Sequence, residues 1–370
     1  MDDGATSHPS GLTVRLGFMA LLTPTILRRG LALFVLISLA GYVAVLVYGN
    51  DSAGFVASLW GIRWPWLLAG LGLASMDWIG GGLRLWILAR EVHPKPPFWG
   101  MVLASGMGAW GGNLTPMQAG ASPMMIYTMK RSGVPVSKAL TITLMSFIAT
   151  VVFFAISGPM ALVLGAGRSL GGRGDVLGLS LLDLFKGSMG IFAVLGVLLL
   201  LVLLAPRFIS AMIHRMAAAL GKRSARIDVR LDALQKGIDQ AHQSMTTFNT
   251  PRGWLSLLWA TLVSAPSHAN KLLAGYVALR VVGIEAPFVD VLLLQTLITF
   301  LLYFAPTPGA SGIAEVLSLA VMSHYLPREL TPLYTLVWRC ILSWFTIAFG
   351  FAVFSVWVRG GVRGIEVDSP

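Results

Sequence analysis

Six apolar stretches of this chain are each long enough to cross a lipid bilayer, and they constrain the fold more than any other feature. A membrane-spanning helix needs roughly 20 apolar residues to cross about 30 Å of hydrocarbon. Only 12% of the 370 residues are charged and 56% are hydrophobic, outside the balance of a soluble domain. We therefore predict an all-α integral membrane protein with about six transmembrane helices. The stretches are residues 31–49, 65–88, 139–165, 187–205, 254–279 and 332–358.

Two further apolar regions are interrupted near their middle by proline, glycine, threonine and serine. The first covers residues 98–129 and the second residues 288–325. Irregular backbone at membrane depth survives only where protein or a water-filled cavity satisfies its polar groups. We therefore predict that each region is a re-entrant pair of half-helices.

The distribution of basic residues predicts the orientation of these segments. With the N-terminus inside, 18 of the 27 Lys and Arg residues lie on the inner side and six on the outer side, and Arg84, Lys271 and Arg339 lie within the membrane. Because basic residues accumulate on the cytoplasmic side, both termini are predicted to be cytoplasmic. The two re-entrant pairs then enter from opposite faces. We expect a multi-pass protein of the bacterial cytoplasmic (inner) membrane.

The two interruptions resemble each other in sequence. The segment NLTPMQAGAS aligns with APTPGASGIA, which places Thr115, Pro116 and Gly120 on Thr307, Pro308 and Gly312. Residues 1–186 and 187–370 then each read as helix, helix, re-entrant pair, helix. Inverted repeats of this kind build transporters with a central substrate site at the paired broken segments. A chance match of so short a motif is the alternative.

Two polar segments lie outside this plan. The N-terminal segment before the first span is predicted to be interfacial, and the span itself is interpreted as a retained helix. A basic linker at residues 206–252 interrupts the second half, and apolar residues recur in it at helical spacing. We predict that part of it is an amphipathic helix at the cytoplasmic surface. We therefore expect the basic residues behind the net charge of +11 to contact anionic lipid headgroups at that surface, and not nucleic acid.

Ionisable side chains inside spans are costly and usually face a cavity or a partner. Asp77 and Arg84 lie on one predicted helix, Lys271 on its counterpart, Glu315 after the second interruption and Arg339 in the last span. One interpretation is structural, with Glu315 paired to Arg339 or Asp77 to Lys271. The other is functional, because three cations and two carboxylates leave a positive excess that suits a phosphate-bearing headgroup.

A half-helix that begins after Pro116 or Pro308 is predicted to direct its free N–H groups at an anion. Asp77, His268 and Glu315 are candidates for proton coupling. No cofactor or metal is predicted, because the single cysteine and the scattered histidines lack ligand spacing. The predicted substrate-binding residues are Arg84, Asn113, Thr115, Pro116, Gly120, Ser122, Lys271, Thr307, Pro308, Gly309, Gly312, Glu315 and Arg339.

Two other functional classes stay open at this point. Residues 309–312 satisfy the Gly-x-Ser-Gly pattern of rhomboid-type intramembrane serine proteases, which predicts a hydrolase with Ser311 as nucleophile. Such an enzyme needs a histidine to activate the serine, and the candidates are His324, on the same element, and His268. A membrane scaffold that transports nothing is the third alternative.

Four segments resemble the lysylphosphatidylglycerol synthase transmembrane, or flippase-like, family, which includes the membrane half of bacterial multiple-peptide-resistance proteins. They are GGNLTPMQAGASP, YTMKRSGVPVSKAL, PTPGASGIAE and LYTLVWRCILSWF. The resemblance implies movement of a phospholipid or glycolipid between leaflets. The positions of this chain that match the family's motifs are Thr115, Pro116, Gly120, Pro308, Gly312, Glu315 and Arg339.

The chain departs from this family at one place. Many relatives have Gly-Glu-Pro after the first interruption, where this sequence has Ala121-Ser122-Pro123. Nothing in the chain resembles the synthase half of the larger proteins, so we expect a transporter and not an enzyme. A homo-oligomer is compatible with all of these features.

Overall fold

The computed structural model describes residues 24–49, 52–161, 163–164, 175–176, 179–204, 243–244, 246–322 and 324–365. The predicted interfacial segment before residue 24 and most of the linker at 206–252, including its amphipathic helix, lie outside the described residues. Within them, three helices are long and apolar enough to cross a membrane by length and composition, namely Arg28–Val47, Val136–Ala161 and Arg328–Val356.

The described chain is helical apart from one short antiparallel ribbon, whose strands are β1 (Asp175–Val176) and β2 (Leu179–Ser180). The α-helices are α1 (Pro24–Gly49), α2 (Ser52–Trp60), α3 (Trp64–Ala74), α4 (Ile79–Val92), α5 (Phe98–Asn113), α6 (Ala121–Arg131), α7 (Val136–Ala161), α8 (Leu181–Leu204), α9 (Pro251–Ser267), α10 (Ala269–Val281), α11 (Phe288–Tyr303), α12 (Ile313–Met322), α13 (Thr331–Arg339) and α14 (Phe345–Ile365). Short 3₁₀ turns cover Ser75–Asp77, Pro116–Gln118, Pro308–Ala310 and Arg328–Leu330, and a π-helical turn covers Cys340–Trp344.

The polarity of the molecule is reversed relative to a water-soluble protein. Large apolar side chains project outward, among them Leu36 at 63% exposure and Val47 at 71%. Charged and amide side chains lie inside, with Glu315 and Arg339 each 1% exposed and Gln295 fully buried. Lipid is the solvent that makes such an arrangement stable, because it accepts apolar surface and excludes charge. The prediction of an all-α membrane protein is confirmed.

Two of the predicted spans consist of two helices each. In the stretch 65–88, α3 ends at Ala74 and α4 begins at Ile79, with a 3₁₀ turn between them. In the stretch 254–279, α9 ends at Ser267 and α10 begins at Ala269. A run of three glycines follows the first interruption and Pro266 precedes the second, and both weaken a helix locally.

The prediction that Asp77 and Arg84 share one helix is therefore wrong. Asp77 lies in the 3₁₀ turn and Arg84 lies in α4. The spacing of two α-helical turns predicted between them therefore does not apply.

Both interrupted apolar regions are helical hairpins whose arms pack on each other, α5 against α6 and α11 against α12. They begin at Phe98 and Phe288, as predicted. The longer arms have 16 residues each, which corresponds to about 24 Å, less than the roughly 30 Å of hydrocarbon. A break inside each region is thus confirmed, while entry and exit on the same membrane face stays a prediction.

The helices of the two predicted halves pack in a matching pattern. Helix α4 contacts α5, α7 and α9, and α10, which the repeat would make its counterpart, contacts α11, α13 and α3. Likewise α1 packs on α13, and α8 packs on α7. A two-fold axis that relates inverted halves would produce these paired contacts.

Close packing of α4 on α5 yields a first prediction. A Cβ added to Gly82 in α4 would lie 2.5 Å from the Cα of Val102 in α5, so Gly82→Ala must push two backbones apart. We expect a loss of about 1–3 kcal/mol in the free energy of unfolding, measured by thermal unfolding of the detergent-solubilised protein.

The matched control is Gly72→Ala in α3, where a Cβ would meet nothing within 4 Å. That change is expected to be neutral or to stabilise by about 0.5–1 kcal/mol, because alanine favours the helix. Equal effects of the two substitutions would contradict the close approach of α4 and α5.

Candidate functional site

The two interruptions have the same backbone path. We call residues 115–120 the first break and residues 307–312 the second break. In each, a proline opens a 3₁₀ turn and the two residues after it have left-handed backbone angles. These pairs have φ of 51° and 56° in the first break and of 56° and 55° in the second. A left-handed residue other than glycine costs roughly 1–2 kcal/mol, so the surrounding contacts must stabilise both turns.

Threonine hydroxyls hold both turns. Thr115 Oγ1 accepts a hydrogen bond from the N–H of Gly120 (2.7 Å) and donates to the carbonyl of Gly111 (2.9 Å). Thr307 Oγ1 donates to the carbonyl of Ser311 (2.8 Å). Each threonine thus satisfies backbone groups that the helix interruption leaves unpaired. This is the physical reason for a threonine directly before each proline.

The two breaks touch each other in the centre of the bundle. The N–H of Met117 in the first break donates to the carbonyl of Ala305, two residues before the second break (3.3 Å). A Cβ on Gly309 would lie 3.2 Å from the carbonyl oxygen of Asn113, which shows how closely the two backbones approach. Irregular backbone from one half is therefore satisfied in part by irregular backbone from the other.

A buried ion pair clamps the second break. Arg339 Nε and Glu315 Oε1 are 3.0 Å apart, and both side chains are at least 98% buried. The guanidinium also donates to the carbonyl of Gly309 (3.2 Å) and to Ser311 Oγ (3.3 Å). The other carboxylate oxygen accepts the N–H of Gly312 (2.8 Å), which has a φ of 81°. We call this group of residues around Arg339 and Glu315 the clamp.

Helix α1 closes over the clamp from outside. Ser38 Oγ donates to Glu315 Oε1 (3.2 Å) and accepts the indole N–H of Trp344 (3.2 Å). The ring of Phe34 lies 5.6 Å from the guanidinium carbon of Arg339, within reach of a cation–π contact. The first and last predicted spans therefore meet at the same carboxylate.

A second buried ion pair lies where the interruptions of α3–α4 and α9–α10 meet. Lys271 Nζ donates to Asp77 Oδ1 (2.6 Å), and Asn270 Nδ2 donates to Asp77 Oδ2 (2.8 Å). Both carboxylate oxygens are thereby engaged. The structural interpretation of the intramembrane charges is confirmed in its geometry for both pairs, Glu315–Arg339 and Asp77–Lys271.

Arg84 is held differently. Its Nη1 donates to Thr150 Oγ1 (2.8 Å) and to Ser264 Oγ (3.2 Å), which are neutral acceptors. The residue is 9% exposed, and its Nε has no hydrogen-bond partner among the residues that the structure describes. Within the same part of the chain, no carboxylate lies within salt-bridge distance of it. In the described part of the chain, Arg84 therefore lacks the carboxylate partner that Lys271 and Arg339 have.

A cavity with two lobes, in which charged and hydroxyl side chains lie among apolar ones, joins these groups. The break lobe has about 530 Å³ of atom-free space, counted to its open mouth, and the arginine lobe has about 750 Å³. Gln118, Lys271 and Tyr303 line both lobes, so the lobes are adjacent.

Most of the predicted binding residues line this cavity. Those in the break lobe are Asn113, Thr115, Lys271, Thr307, Gly309 and Arg339. Those in the arginine lobe are Arg84, Ser122 and Lys271, and two of the proton-coupling candidates, Asp77 and His268, line the same lobe. The others shape the walls, since Pro116, Gly120, Pro308 and Gly312 form the turns and Glu315 lies behind Arg339.

Several residues that line the cavity were not predicted from the sequence. Thr143, Ser146 and Thr150 line the arginine lobe, and Gln118 and Tyr303 line both lobes. The three hydroxyl residues recur at i, i+3 and i+7 in the otherwise apolar α7, a spacing that puts them on one helix face. That pattern was a readable signal of a polar lining. For Gln118 and Tyr303 no sequence pattern pointed to the cavity.

The surroundings of Ser311 differ from those of a serine nucleophile. Its hydroxyl is fully buried and accepts a hydrogen bond from Arg339. His268 Nδ1 lies instead beside Ser267 Oγ and the Ser264 carbonyl, in the arginine lobe, and His324 is exposed. Neither histidine makes a hydrogen bond to Ser311 in the described structure.

Comparison with known proteins assigns the chain to a family. The family model of the lysylphosphatidylglycerol synthase TM region matches residues 30–350. The chain belongs to this family. A UPF0104 membrane protein of Archaeoglobus fulgidus is 24% identical over 306 residues, which cover 78% of this chain and 85% of that protein. The family resemblance predicted from the four motifs is confirmed, and membership fits a role connected with membrane lipid.

The clamp generates a second prediction. Glu315→Gln leaves the Arg339 charge buried without its partner, and Arg339→Met leaves the carboxylate alone. Each should lower the free energy of unfolding by about 3–5 kcal/mol. The double variant should lose less than the sum of the single variants, with a coupling energy of about 1–3 kcal/mol in thermal unfolding of the solubilised protein.

The pair Arg252–Glu91, 3.3 Å apart, in which only the arginine is exposed, is the matched control. Arg252 is 70% exposed there, and Arg252→Gln should cost about 0–1 kcal/mol. Strict additivity of Glu315→Gln and Arg339→Met would show that the two buried residues do not stabilise each other.

Proposed function

We propose that this protein is a lipid flippase that moves a phosphate-bearing phospholipid or glycolipid between the leaflets of the cytoplasmic membrane. The observation that carries the proposal is the two-lobed cavity with charged and hydroxyl side chains in its wall, beside two broken helical hairpins in an otherwise apolar bundle. A lipid headgroup needs such a polar path through hydrocarbon, while its acyl chains stay in the surrounding lipid. Family membership supports a lipid substrate.

The charge of the cavity region suits an anionic headgroup. Arg84, Lys271 and Arg339 carry three positive charges, and Asp77 and Glu315 carry two negative ones. One positive charge is left over, and it lies at Arg84, which has only neutral partners among the described residues. A phosphate would be attracted by this excess and bound by charge-assisted hydrogen bonds.

The proposed mechanism is alternating access around the paired breaks. The inverted repeat of residues 1–186 and 187–370 would let one half rock against the other while the breaks stay central. Matching helix contacts in the two halves support this part of the proposal. With both termini cytoplasmic, as the basic residues indicate, the two hairpins would open toward opposite faces.

The clamp is the contact that such a motion must alter. Protonation of Glu315 would remove its charge and weaken its hold on Arg339 and on the Gly312 N–H. Release of the second break would then be coupled to a proton, with Asp77 and His268 as further acceptors in the arginine lobe. The contacts of Glu315 with Arg339, Gly312 and Ser38 are the ones that its protonation would weaken.

Reconstitution in liposomes tests the proposal. Headgroup transfer of a fluorescent phospholipid is measured by its accessibility to an impermeant quencher, and the protein is expected to accelerate transfer over protein-free liposomes. A scaffold would give no acceleration. A hydrolase would release a cleaved product in a manner abolished by Ser311→Ala, whereas a flippase leaves the lipid intact.

A cross-link between the breaks supplies a third prediction. Met117 and Ala305 line the break lobe, and their backbone atoms are hydrogen bonded. Cysteines at these two positions, in a Cys340→Ser background, are expected to abolish transfer when oxidised and to permit it when reduced. Each single cysteine variant is the control. Unchanged transfer in the oxidised double variant would show that the two breaks need not move relative to each other and would contradict the proposed rocking of the halves.

A further inference from the structure

The two breaks share a backbone path but differ in what covers them. In the first break, residues 116–119 are exposed in the described structure, with Met117 at 61%. At the matching positions of the second break, Pro308 is buried, Ala310 is 8% exposed and Ser311 is fully buried. Another part of the chain therefore closes over the second break and leaves the first one open.

Helix α1 is this cover, and its inward face lies directly on the broken backbone. A Cβ on Gly309 would lie 2.6 Å from the Phe34 ring, and a Cβ on Gly312 would lie 3.2 Å from Cγ2 of Ile37. A Cβ on Gly41 would in turn lie 3.5 Å from the Cα of Gly312. Phe34, Ile37 and Gly41 are three and four residues apart, so they share one face of the helix.

The attachment of α1 to the rest of the bundle is light. Apolar surface gives no driving force between helices in lipid, so packing and hydrogen bonds must hold them together. Ser38 donates to Glu315 and accepts the indole N–H of Trp344, both at 3.2 Å. Of the three long apolar helices in the described chain, Arg28–Val47 is 22% buried and the other two are each 50% buried. Helix α1 is therefore the least embedded of the three.

The turn inside a break does not need this cover. The first break has the same left-handed pair of residues, with φ of 51° and 56°, although both residues are exposed in the described structure. Its turn is held by Thr115 and by the hydrogen bond to Ala305. A helix that the turn does not require is free to act as a movable cover.

Helix α1 also touches the first hairpin, at its other end. A Cβ on Gly30 would collide with the carbonyl oxygen of Leu114, directly before the first break. Helix α1 thus spans the junction of the two halves, with Gly30 on the first and the face from Phe34 to Gly41 on the second. If the halves rock, one of these contacts must open. Because α1 belongs to the first half by sequence, we expect the contact with the second break to open.

We propose that α1 is a lateral gate over the second break, closed in this structure, and that it leaves the second break in each transport cycle. The gate moves about its contact with Leu114 and separates from residues 309–315, which opens the clamp toward the surrounding lipid. The proposal rests on the alternating access proposed above and names the element that moves.

Distances between spin labels in liposomes test the movement of α1. Leu36 on α1, Val316 on α12 and Phe351 on α14 are 63%, 60% and 51% exposed, so each position accepts a label without disturbing the core. In a Cys340→Ser background, labels at Leu36→Cys and Phe351→Cys are expected to show two distances, docked and undocked. Labels at Val316→Cys and Phe351→Cys are the control and should show one. Equal behaviour of the two pairs would overturn the gate, because α1 would then not separate from α12.

Ser38→Ala should favour the undocked position of α1, because it removes the hydrogen bond to Glu315. The ratio of undocked to docked α1 is expected to rise about tenfold, the effect of losing one hydrogen bond to a charged group. The matched control is Ser157→Ala in α7, whose hydroxyl donates to the carbonyl of Phe154 in its own helix (3.5 Å). That variant should leave the ratio within about twofold. An unchanged ratio in Ser38→Ala would contradict a gate held at Glu315.

A reversible tether tests whether transport needs the gate to open. Ile37 and Ile313 are both partly exposed where α1 meets the second break, since Ile37 lies against Gly312. Ile37→Cys and Ile313→Cys, joined by a short bifunctional methanethiosulfonate in the Cys340→Ser background, are expected to abolish lipid transfer until a reductant is added. Each single variant treated with the same reagent is the control. Transfer at the untethered rate in the joined double variant would overturn the gate.

The two measurements separate the gate from the proposed function. Absence of accelerated transfer for every lipid would refute flippase activity, while the label distances would still show whether α1 leaves the second break. Accelerated transfer that the tether leaves unchanged would keep flippase activity and refute the gate.

Discussion

Polar backbone groups in hydrocarbon must find partners inside the protein, and the central architecture follows from that requirement. Two helical hairpins are broken at the same kind of turn, and the N–H and C=O groups released there are satisfied by Thr115, by Thr307 and by the facing break. Neither break could exist alone at this depth. The contact between the Met117 and Ala305 backbones is thus a condition for the cavity beside it.

Buried charged side chains also need partners inside the protein, and the free energy lost without them is larger than for backbone groups. A buried ion is tolerated when a partner and hydrogen bonds replace its hydration, and the clamp and the Asp77–Lys271 pair both meet that condition. Arg84 meets it only in part, with hydroxyl partners in the described chain. A protein gains nothing in stability from a half-satisfied buried guanidinium. Its position in the wall of the cavity is consistent with the anion-binding role proposed for it.

The similarity of the two breaks makes their difference informative. They share the Thr-Pro turn and the left-handed residues, but only the second is followed by a carboxylate in the first helical turn. Alignment of the two breaks within the sequence singled out Glu315 but did not indicate which groups it contacts. The structure shows that Glu315 caps its own helix and contacts Arg339, whereas the equivalent N–H of Gly120 in the first break is bonded to the neutral hydroxyl of Thr115.

The sequence by itself determined the membrane environment, the two broken regions, their likeness and the candidate charged residues, because hydrophobicity, proline and charge act locally and are read directly from residue order. It also indicated both ion pairs as alternatives. Only the tertiary structure decided that α3–α4 and α9–α10 are separate helices, that the pairs form, and that Gln118, Tyr303 and the α7 hydroxyls share a cavity. Those facts depend on which helix faces meet, and long-range packing is not encoded in any single segment.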